Sequence, residues 1–399
     1  MRRVQPAIRA SWSWRRTFVL LAVNNLFVGG MVGLERTVLP LPADGAGTSA
    51  LLAAVPALVI GFGASKALLN LLVGGLADRF GRRRVLLAGW LLAAPIPWLL
   101  AGGESGALSV TLANILLGAN QGLAWSMTLN MMIDLAPARS RGLTAGINEF
   151  SGYSGVALLA LLTGLVAGGA GAGAAGGAGA GAFPWFGPWP PDPFALGYLL
   201  VAVGLASALL VPETRPASTA VAVRWEPGVG LPGLLGAATN LKDGLVWLAL
   251  PLLMAGRGFD LAQTGVVTAL YPGIWAAGQL LFGAVSDRVG RRELIAFGLL
   301  LQGAGLLTLG SVHDYRGALL SATLLGLGTG MAYPTLLAYV SDRAAPERRA
   351  TALGIYRFFR DGGYVLGAGI LLFGVPLAGA AMTVGAMMAM LAVIAWKTL

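Results

Sequence analysis

The chain of 399 residues is 56% hydrophobic and 11% charged, with a mean hydropathy of +0.76 and a formal net charge of +10. That is far more apolar than a soluble domain and reads as a polytopic membrane protein. With no cysteine and a single histidine, the sequence excludes a disulfide framework, a thiolate metal site and a cysteine nucleophile, and leaves no basis for histidine-based catalysis.

Apolar stretches long enough to cross a bilayer, roughly 20 residues each, recur along the whole chain. In chain order the predicted spans are 17–40, 50–77, 85–102, 107–133, 142–168, 195–212, 231–256, 263–286, 294–312, 317–340, 351–374 and 377–396. The fold class expected is all-α, with twelve transmembrane helices. The first span follows MRRVQPAIRASWSWRR, which lacks a small-residue cleavage site, so it is expected to be a retained helix.

Lys and Arg in short loops mark the cytoplasmic side. The N-terminal tail, the loops near 78–84, 134–141, 213–230, 287–293 and 341–350, and the C-terminal tail hold 20 of the 27 cationic residues, against Arg257 and Arg316 in the opposite loops. Both termini are therefore expected in the cytoplasm of a cell whose cytoplasmic membrane holds the chain. The positive charge is then a topological signal and not a nucleic-acid footprint, and it also favours anionic lipid. His313 falls at a non-cytoplasmic helix end and reads as an interfacial loop residue. No Gly-rich phosphate loop, HExxH or GxSxG pattern is present, so no enzyme activity, metal or cofactor is expected.

An internal repeat organises the chain. GGLADRFGRRRVLLAG at 74–89 matches GAVSDRVGRRELIAFG at 283–298, which sets Gly74 over Gly283, Asp78-Arg79 over Asp287-Arg288, Gly81 over Gly290 and Arg82-Arg83 over Arg291-Arg292. LLGANQGLAW at 116–125 sits over LLGLGTGMAY at 324–333, and Asp134 over Asp342. Both members of each pair fall on one side of the membrane, which makes the halves parallel six-helix repeats. The domains expected are a first bundle over 1–212, a cytoplasmic linker over 213–230 and a second bundle over 231–399. Physically, Gly74 allows close helix approach, Gly81 allows a tight turn, and the arginines can reach acids at neighbouring helix ends, Asp134 and its twin Asp342.

With GxxxDRxGRR present twice in a twelve-helix chain, and VPETRP closing the first half at 211–216, the sequence resembles the major facilitator superfamily over essentially its whole length. The resemblance implies alternating access between two bundles, with the paired loop motifs latching the halves; the plainer reading of the motifs is a topological anchor. LERTVLP at 34–40 is similar to the first-helix acidic motif of the family's drug/proton antiporters, with Glu35 where Asp is commoner and Thr37 and Pro40 kept. Gly118 stands where many proton-coupled exporters carry Arg, and INEFSGYSG lacks the Gly-Pro pair of antiport. The Gly/Ala tract at 167–182 is expected to be a flexible outer loop.

Charged residues inside predicted spans are Glu35, Arg36, Lys66, Glu149, Lys242, Asp243, Arg357, Arg360 and Asp361. Ionisable groups in lipid face a cavity or one another. From the helical rise, Lys66 lies roughly 18 Å above Asp78, and Asp243 is similarly deep. Arg357 and Asp361 are spaced for an intrahelical pair, and Glu149, which falls over Arg357 in the repeat, is placed for a bridge between halves. Glu35 and Arg36 fall near an outer helix end, where an interfacial position is the alternative. Neighbours on a helix do not face each other, so Lys242 and Asp243 are not expected to neutralise one another. Asn25, Asn70, Gln121, Asn240 and Gln279 complete a candidate cavity, along with Asn24, Asn120 and Asn148. Trp125, Tyr153, Tyr271, Trp275, Tyr333 and Tyr356 offer stacking surfaces, each also readable as packing.

The expectation is a monomeric secondary transporter for a small organic solute, driven by the proton gradient, with Asp243, then Glu149, then Glu35 as the proton-carrying carboxylate. A desolvated carboxylate can hold its proton near neutrality and release it to a basic partner. Efflux of drug-like amphiphiles leads. Uptake or exchange of an organic anion is the alternative, with Lys66, Arg357 and Arg360 as partners or anion contacts and Asp361 among the cavity candidates, and a transport-inactive membrane sensor or scaffold is the reading from another class.

Overall fold

A computed structural model of the chain describes residues 14–37, 48–101, 106–136, 141–174, 193–214, 227–344 and 349–399. Twelve helices hold nearly all of them, and no strand occurs among the described residues. They are α1 Trp14–Arg36, α2 Thr48–Phe80, α3 Arg82–Ala101 (interrupted at residues 94 and 95), α4, α5 Arg141–Ala174, α6 Leu196–Leu210, α7 Gly230–Gly256, α8 Leu261–Val289, α9 Arg291–Gly310, α10 Tyr315–Arg343, α11 Arg349–Leu372 and α12 Leu377–Thr398. The fourth, α4, is composite: Gly106–Asn120, a π-helical turn Gln121–Trp125, and Ser126–Leu135.

Seven of these (α1, α3, α8, α9, α12 and the apolar parts of α2 and α5) are long and apolar enough by themselves to cross a membrane. Helices α7 and α11 fall outside that set because they carry Lys242, Asp243, Arg357, Arg360 and Asp361, whose charges turn inward, away from lipid. One boundary differs clearly from the expected one. The Gly/Ala tract continues α5 as helix through Ala174, where four alanines, the best helix formers, offset four glycines, which favour helix less than any residue but proline. The linker expected at 213–230 and the rest of the tract fall mostly outside the described residues.

Within the first half α1 packs on α5 and α6, and α2 on α4; within the second, α7 packs on α11, and α9 on α10 and α12. Small residues set the closest approach, as expected where lipid supplies no hydrophobic drive between helices. A Cβ at Gly29 would overlap the carbonyl of Gly152, and one at Gly155 the carbonyl of Leu26. The two six-helix bundles meet along two seams, α5 with α8 and α2 with α11. The repeat relates these seams to each other: α2 corresponds to α8, and α5 to α11. At both repeat turns the glycine holds positive φ, 93° at Gly81 and 112° at Gly290, so a tight break separates α2 from α3 and α8 from α9.

Candidate functional site

Where the seams cross the molecular centre, Lys66 and Asn70 of α2, Gln121, Trp125 and Ser126 of α4, Glu149 and Tyr153 of α5, Tyr333 of α10, and Arg357 and Arg360 of α11 surround one cavity. The free space between them is about that of a single water molecule. An organic solute fits only if the helices part.

Lys66 is 7% exposed, and its ammonium stands over three ring faces: Phe62 at 5.3 Å, Tyr364 at 5.5 Å and Trp125 at 5.7 Å. No carboxylate of the described residues lies within ion-pair distance of it. Ring quadrupoles stabilise such a cation without neutralising it. Phe62 is one turn from Lys66 on α2, a spacing visible in the sequence, while Tyr364 arrives from α11 in the other half and could be found only through the fold.

Glu149 is held from both halves. The indole N–H of Trp125 donates to Oε1 at 3.0 Å, and the hydroxyl of Tyr333 donates to Oε2 at 3.3 Å. Trp125 and Tyr333 occupy equivalent places in the two repeats, LLGANQGLAW and LLGLGTGMAY. A π turn ends at Trp125 in α4, whereas α10 is regular helix through Tyr333. Arg357 of α11 stands 3.9 Å from Oε1, a long bridge, and also donates to Ser126 at 3.4 Å.

Asp361 is far more firmly bound. Arg360 approaches Oδ1 at 2.5 and 2.7 Å, Asn240 donates to it at 3.1 Å, and Asn70 donates to Oδ2 at 2.5 Å. Arg360 also reaches the hydroxyl of Tyr333. The intrahelical Arg357–Asp361 pair expected from spacing is therefore replaced: Asp361 takes the adjacent arginine, and Arg357 turns across the seam toward Glu149. Two long flexible stems on one turn can choose partners that spacing alone does not rank.

Lys242 and Asp243 correct the sequence reading more sharply. Both are fully buried, and Lys242 Nζ meets Asp243 Oδ1 at 2.7 Å. The four-carbon lysine stem folds back around its own helix, which the rule for neighbouring side chains does not allow for. Tyr271 bonds to the same pair, and Thr329 accepts from Lys242 at 2.7 Å. The cluster is sealed within the second bundle and does not line the cavity. Glu35 is also fully buried, correcting the interfacial alternative; Asn114 donates to its Oε2 at 3.2 Å. Arg36 lies 4.9 Å from the ring centre of Trp247 on α7, which packs edge-on with Phe62.

Other candidates turn out to bind helices together. Asn25 donates to the Asn148 carbonyl at 2.6 Å and accepts from Thr128 at 3.0 Å. Gln121 donates to the Val28 carbonyl at 2.7 Å while still lining the cavity. Asn24 and Asn120 hold α6 and α3. Tyr356 packs toward Gly236 of α7, away from the cavity. Trp275 lies with its ring centre 3.6 Å from that of Tyr153, the planes tilted by 32°, and 5.7 Å from that of Tyr333. Trp275, Gln279 and Tyr271, all on α8, are outside the cavity lining.

At the motif loops, Arg82 bridges Asp134 at 2.7 Å, and Thr214 donates to the same carboxylate at 3.1 Å. Glu213 accepts the backbone N–H of Arg82 and Arg83 at 3.0 and 3.2 Å, and so caps α3 from the end of α6. In the second half Arg291 bridges Asp342 at 3.1 Å, and Arg292 pairs with Glu293. Each of these contacts joins elements of one half. Arg79 lies over Phe80; the side chains of Asp78, Asp287 and Arg288 fall outside the described ones.

Glycines along the two seams differ in what surrounds them. Beyond the cavity from the motif loops, Gly164 faces Gly265, and Gly273 faces Ala157 at 3.7 Å. One turn toward the motif loops, Gly74 after Asn70, Gly283 after Gln279 and Gly354 before Arg357 have nothing within 4 Å of a Cβ position.

The family model for the Major Facilitator Superfamily matches the chain twice, over residues 21–238 and 232–399. The chain is 30% identical over 346 residues to the 3-(3-hydroxy-phenyl)propionate transporter of Escherichia coli, covering 81% of this chain and 79% of that one. A segment of 159 residues is 30% identical to an uncharacterised MFS-type transporter of Salmonella typhimurium, 39% of each chain, so this match spans well under half that relative's length. A segment of 134 residues is 26% identical to the quinolone resistance protein NorA of Staphylococcus aureus, covering 33% of this chain and 34% of that one. Among solved structures, the D-xylose-proton symporter superposes with a TM-score of 0.71 at 18% identity, covering 97% of this chain and 98% of that one. The human organic anion transporter MFSD10 superposes with a TM-score of 0.70 at 17% identity, covering 97% and 99%. Twelve helices in two repeat-related bundles, two copies of the loop motif and a family match spanning both halves agree: this chain is a multi-pass membrane protein belonging to the Major Facilitator Superfamily.

Proposed function

We propose that the chain moves a small organic anion with an aromatic body across the cytoplasmic membrane by alternating access, coupled to a proton carried on Glu149. The observation that carries this reading is Lys66, a buried cation caged by three aromatic rings with no carboxylate of the described residues within ion-pair distance. Around the cavity, Lys66, Arg357 and Arg360 face only Glu149 and Asp361, and Asp361 is already fully engaged. The surplus is positive, and aromatic faces frame it. The similarity to a 3-(3-hydroxy-phenyl)propionate transporter supports the same class of solute.

Coupling follows from competition. Ionised Glu149 occupies Arg357; a proton on Glu149 discharges that bridge and frees the guanidinium for the solute's carboxylate. Asp243, whose charge Lys242 answers inside the second bundle, is displaced from the leading place. Both termini and the motif loops are taken as cytoplasmic.

The test is equilibrium binding of radiolabelled 3-(3-hydroxyphenyl)propionate to purified protein. Lys66→Ala should weaken binding about tenfold or more, the loss of one charge-assisted contact, and Lys66→Arg should restore part of it. Binding unaffected by Lys66→Ala would overturn the reading. The second reading, drug efflux, rests on buried Glu35 in LERTVLP and the partial likeness to NorA; a cationic drug displaced by Glu35→Gln and not by Lys66→Ala would favour it.

A further inference from the structure

The 209-residue offset that relates the two motif loops sets Lys66 over Trp275 and Asn70 over Gln279. The repeat thus puts a charged wall on α2 and an uncharged polar wall on α8 at matching depth. The two walls differ in one respect. On α2 the amide of Asn70 is engaged, donating to Asp361 and accepting from Ser126 at 2.6 Å, and the Lys66 ammonium sits in its ring cage. On α8 the amide nitrogen and oxygen of Gln279 and the indole N–H of Trp275 are buried and have no partner among the described residues. Gln279 is 1% exposed and Trp275 is 0%.

Residues 275 and 279 are one turn apart and share a face of α8. Trp275 lies tilted against Tyr153 and packs edge-on to Tyr333, both of which line the cavity, so its ring adjoins the space where a solute would sit. Buried donors and acceptors are ordinarily paired, and a glutamine kept unpaired one turn from a tryptophan that borders the cavity points to a partner that comes and goes when the helices part. A second carboxylate does not suit this wall: Lys242, whose ammonium lies 5.9 Å from the Trp275 ring centre, is committed to Asp243, Tyr271 and Thr329. A hydroxyl or carbonyl does, since it can accept the indole N–H and pair with the amide.

We propose that Gln279 and Trp275 form a second subsite that hydrogen-bonds an uncharged hydroxyl or carbonyl group, so that the solute is an aromatic anion polar at both ends. This rests on the anion reading above: the carboxylate goes to Lys66 and Arg357 on the α2–α11 seam, the ring lies against Trp125 and Tyr153, and the uncharged group reaches α8.

The experiment measures flux of 3-(3-hydroxyphenyl)propionate and of 3-phenylpropionate, which lacks the hydroxyl, into proteoliposomes holding the full chain, and reads the ratio of the two rates. The native ratio should be about ten, because the unhydroxylated acid leaves buried polar groups unpaired. Gln279→Leu should bring the ratio close to one, and Trp275→Phe, which keeps the ring and removes the N–H, should lower it part of the way. Lys66→Ala should depress both rates and keep the ratio. A native ratio near one, or a high ratio that persists in Gln279→Leu and Trp275→Phe while both acids are still carried, overturns the subsite and leaves the anion reading standing. If the native chain carries neither acid, the anion reading fails and takes the subsite with it.

Discussion

Consecutive residues of a helix point about 100° apart, which is why the sequence set Lys242 and Asp243 against any mutual pairing. The structure joins them because the lysine stem is long enough to curl back, and because Tyr271 and Thr329 add contacts around Lys242 Nζ and Asp243 Oδ1, while Asp243 Oδ2 has no partner among the described residues. A buried pair of this kind is costly to break from one side. Lys242→Met should cost about 3–5 kcal/mol by leaving Asp243 uncompensated, seen as a large fall in the midpoint of thermal unfolding. Lys242→Met combined with Asp243→Leu should recover most of it; a double variant as unstable as the single one would show that the pair does more than neutralise itself. At this scale the sequence identified every buried charge of the site, since a charge in an oily run is conspicuous. It could not rank partners, because Arg357, Arg360 and Asp361 share barely more than one turn and the choice among them is made by Glu149, Asn70 and Asn240 on three other helices.

Among the elements, helix spans and the repeat were legible from hydropathy and from the doubled motif, while the π turn in α4 was not. Nothing in GANQGLAW distinguishes a π turn from regular helix until Trp125 is seen reaching Glu149. Glycines were visible in the sequence but not their differing duties. Gly155 of α5 lies against the Leu26 carbonyl of α1, whereas Gly354 of α11 has open space where a side chain would begin. The same substitution should therefore have opposite outcomes. Gly155→Ala should push α1 from α5 and lower the yield of folded, monodisperse protein, while Gly354→Ala should raise stability by up to about 1 kcal/mol through helix propensity. Size-exclusion profiles and unfolding midpoints of the two variants check this, and equal tolerance of both would contradict the packing described for the first half.

For the whole molecule, the proposed transport requires one small cavity to admit a solute larger than itself, and on that proposal the bundles separate along the seams on alternate sides. The fold was legible because two parallel repeats can be recognised from one sequence, but the meeting of Glu149 with Trp125, Tyr333 and Arg357 depends on how the bundles dock, which no local pattern encodes. The cysteine-free chain makes the motion accessible. Ala157→Cys with Gly273→Cys places sulfur-bearing carbons across the α5–α8 seam, where a Cβ at Gly273 stands 3.7 Å from that of Ala157, within disulfide geometry. Oxidation should stop flux and reduction restore it. The most direct test of the central claim is 3-(3-hydroxyphenyl)propionate flux into proteoliposomes with and without an imposed pH gradient, comparing the native chain with Glu149→Gln. The native chain should accumulate the acid only when the gradient is present, and Glu149→Gln should lose that accumulation while still exchanging labelled for unlabelled acid. Gradient-driven accumulation that survives Glu149→Gln would contradict the account.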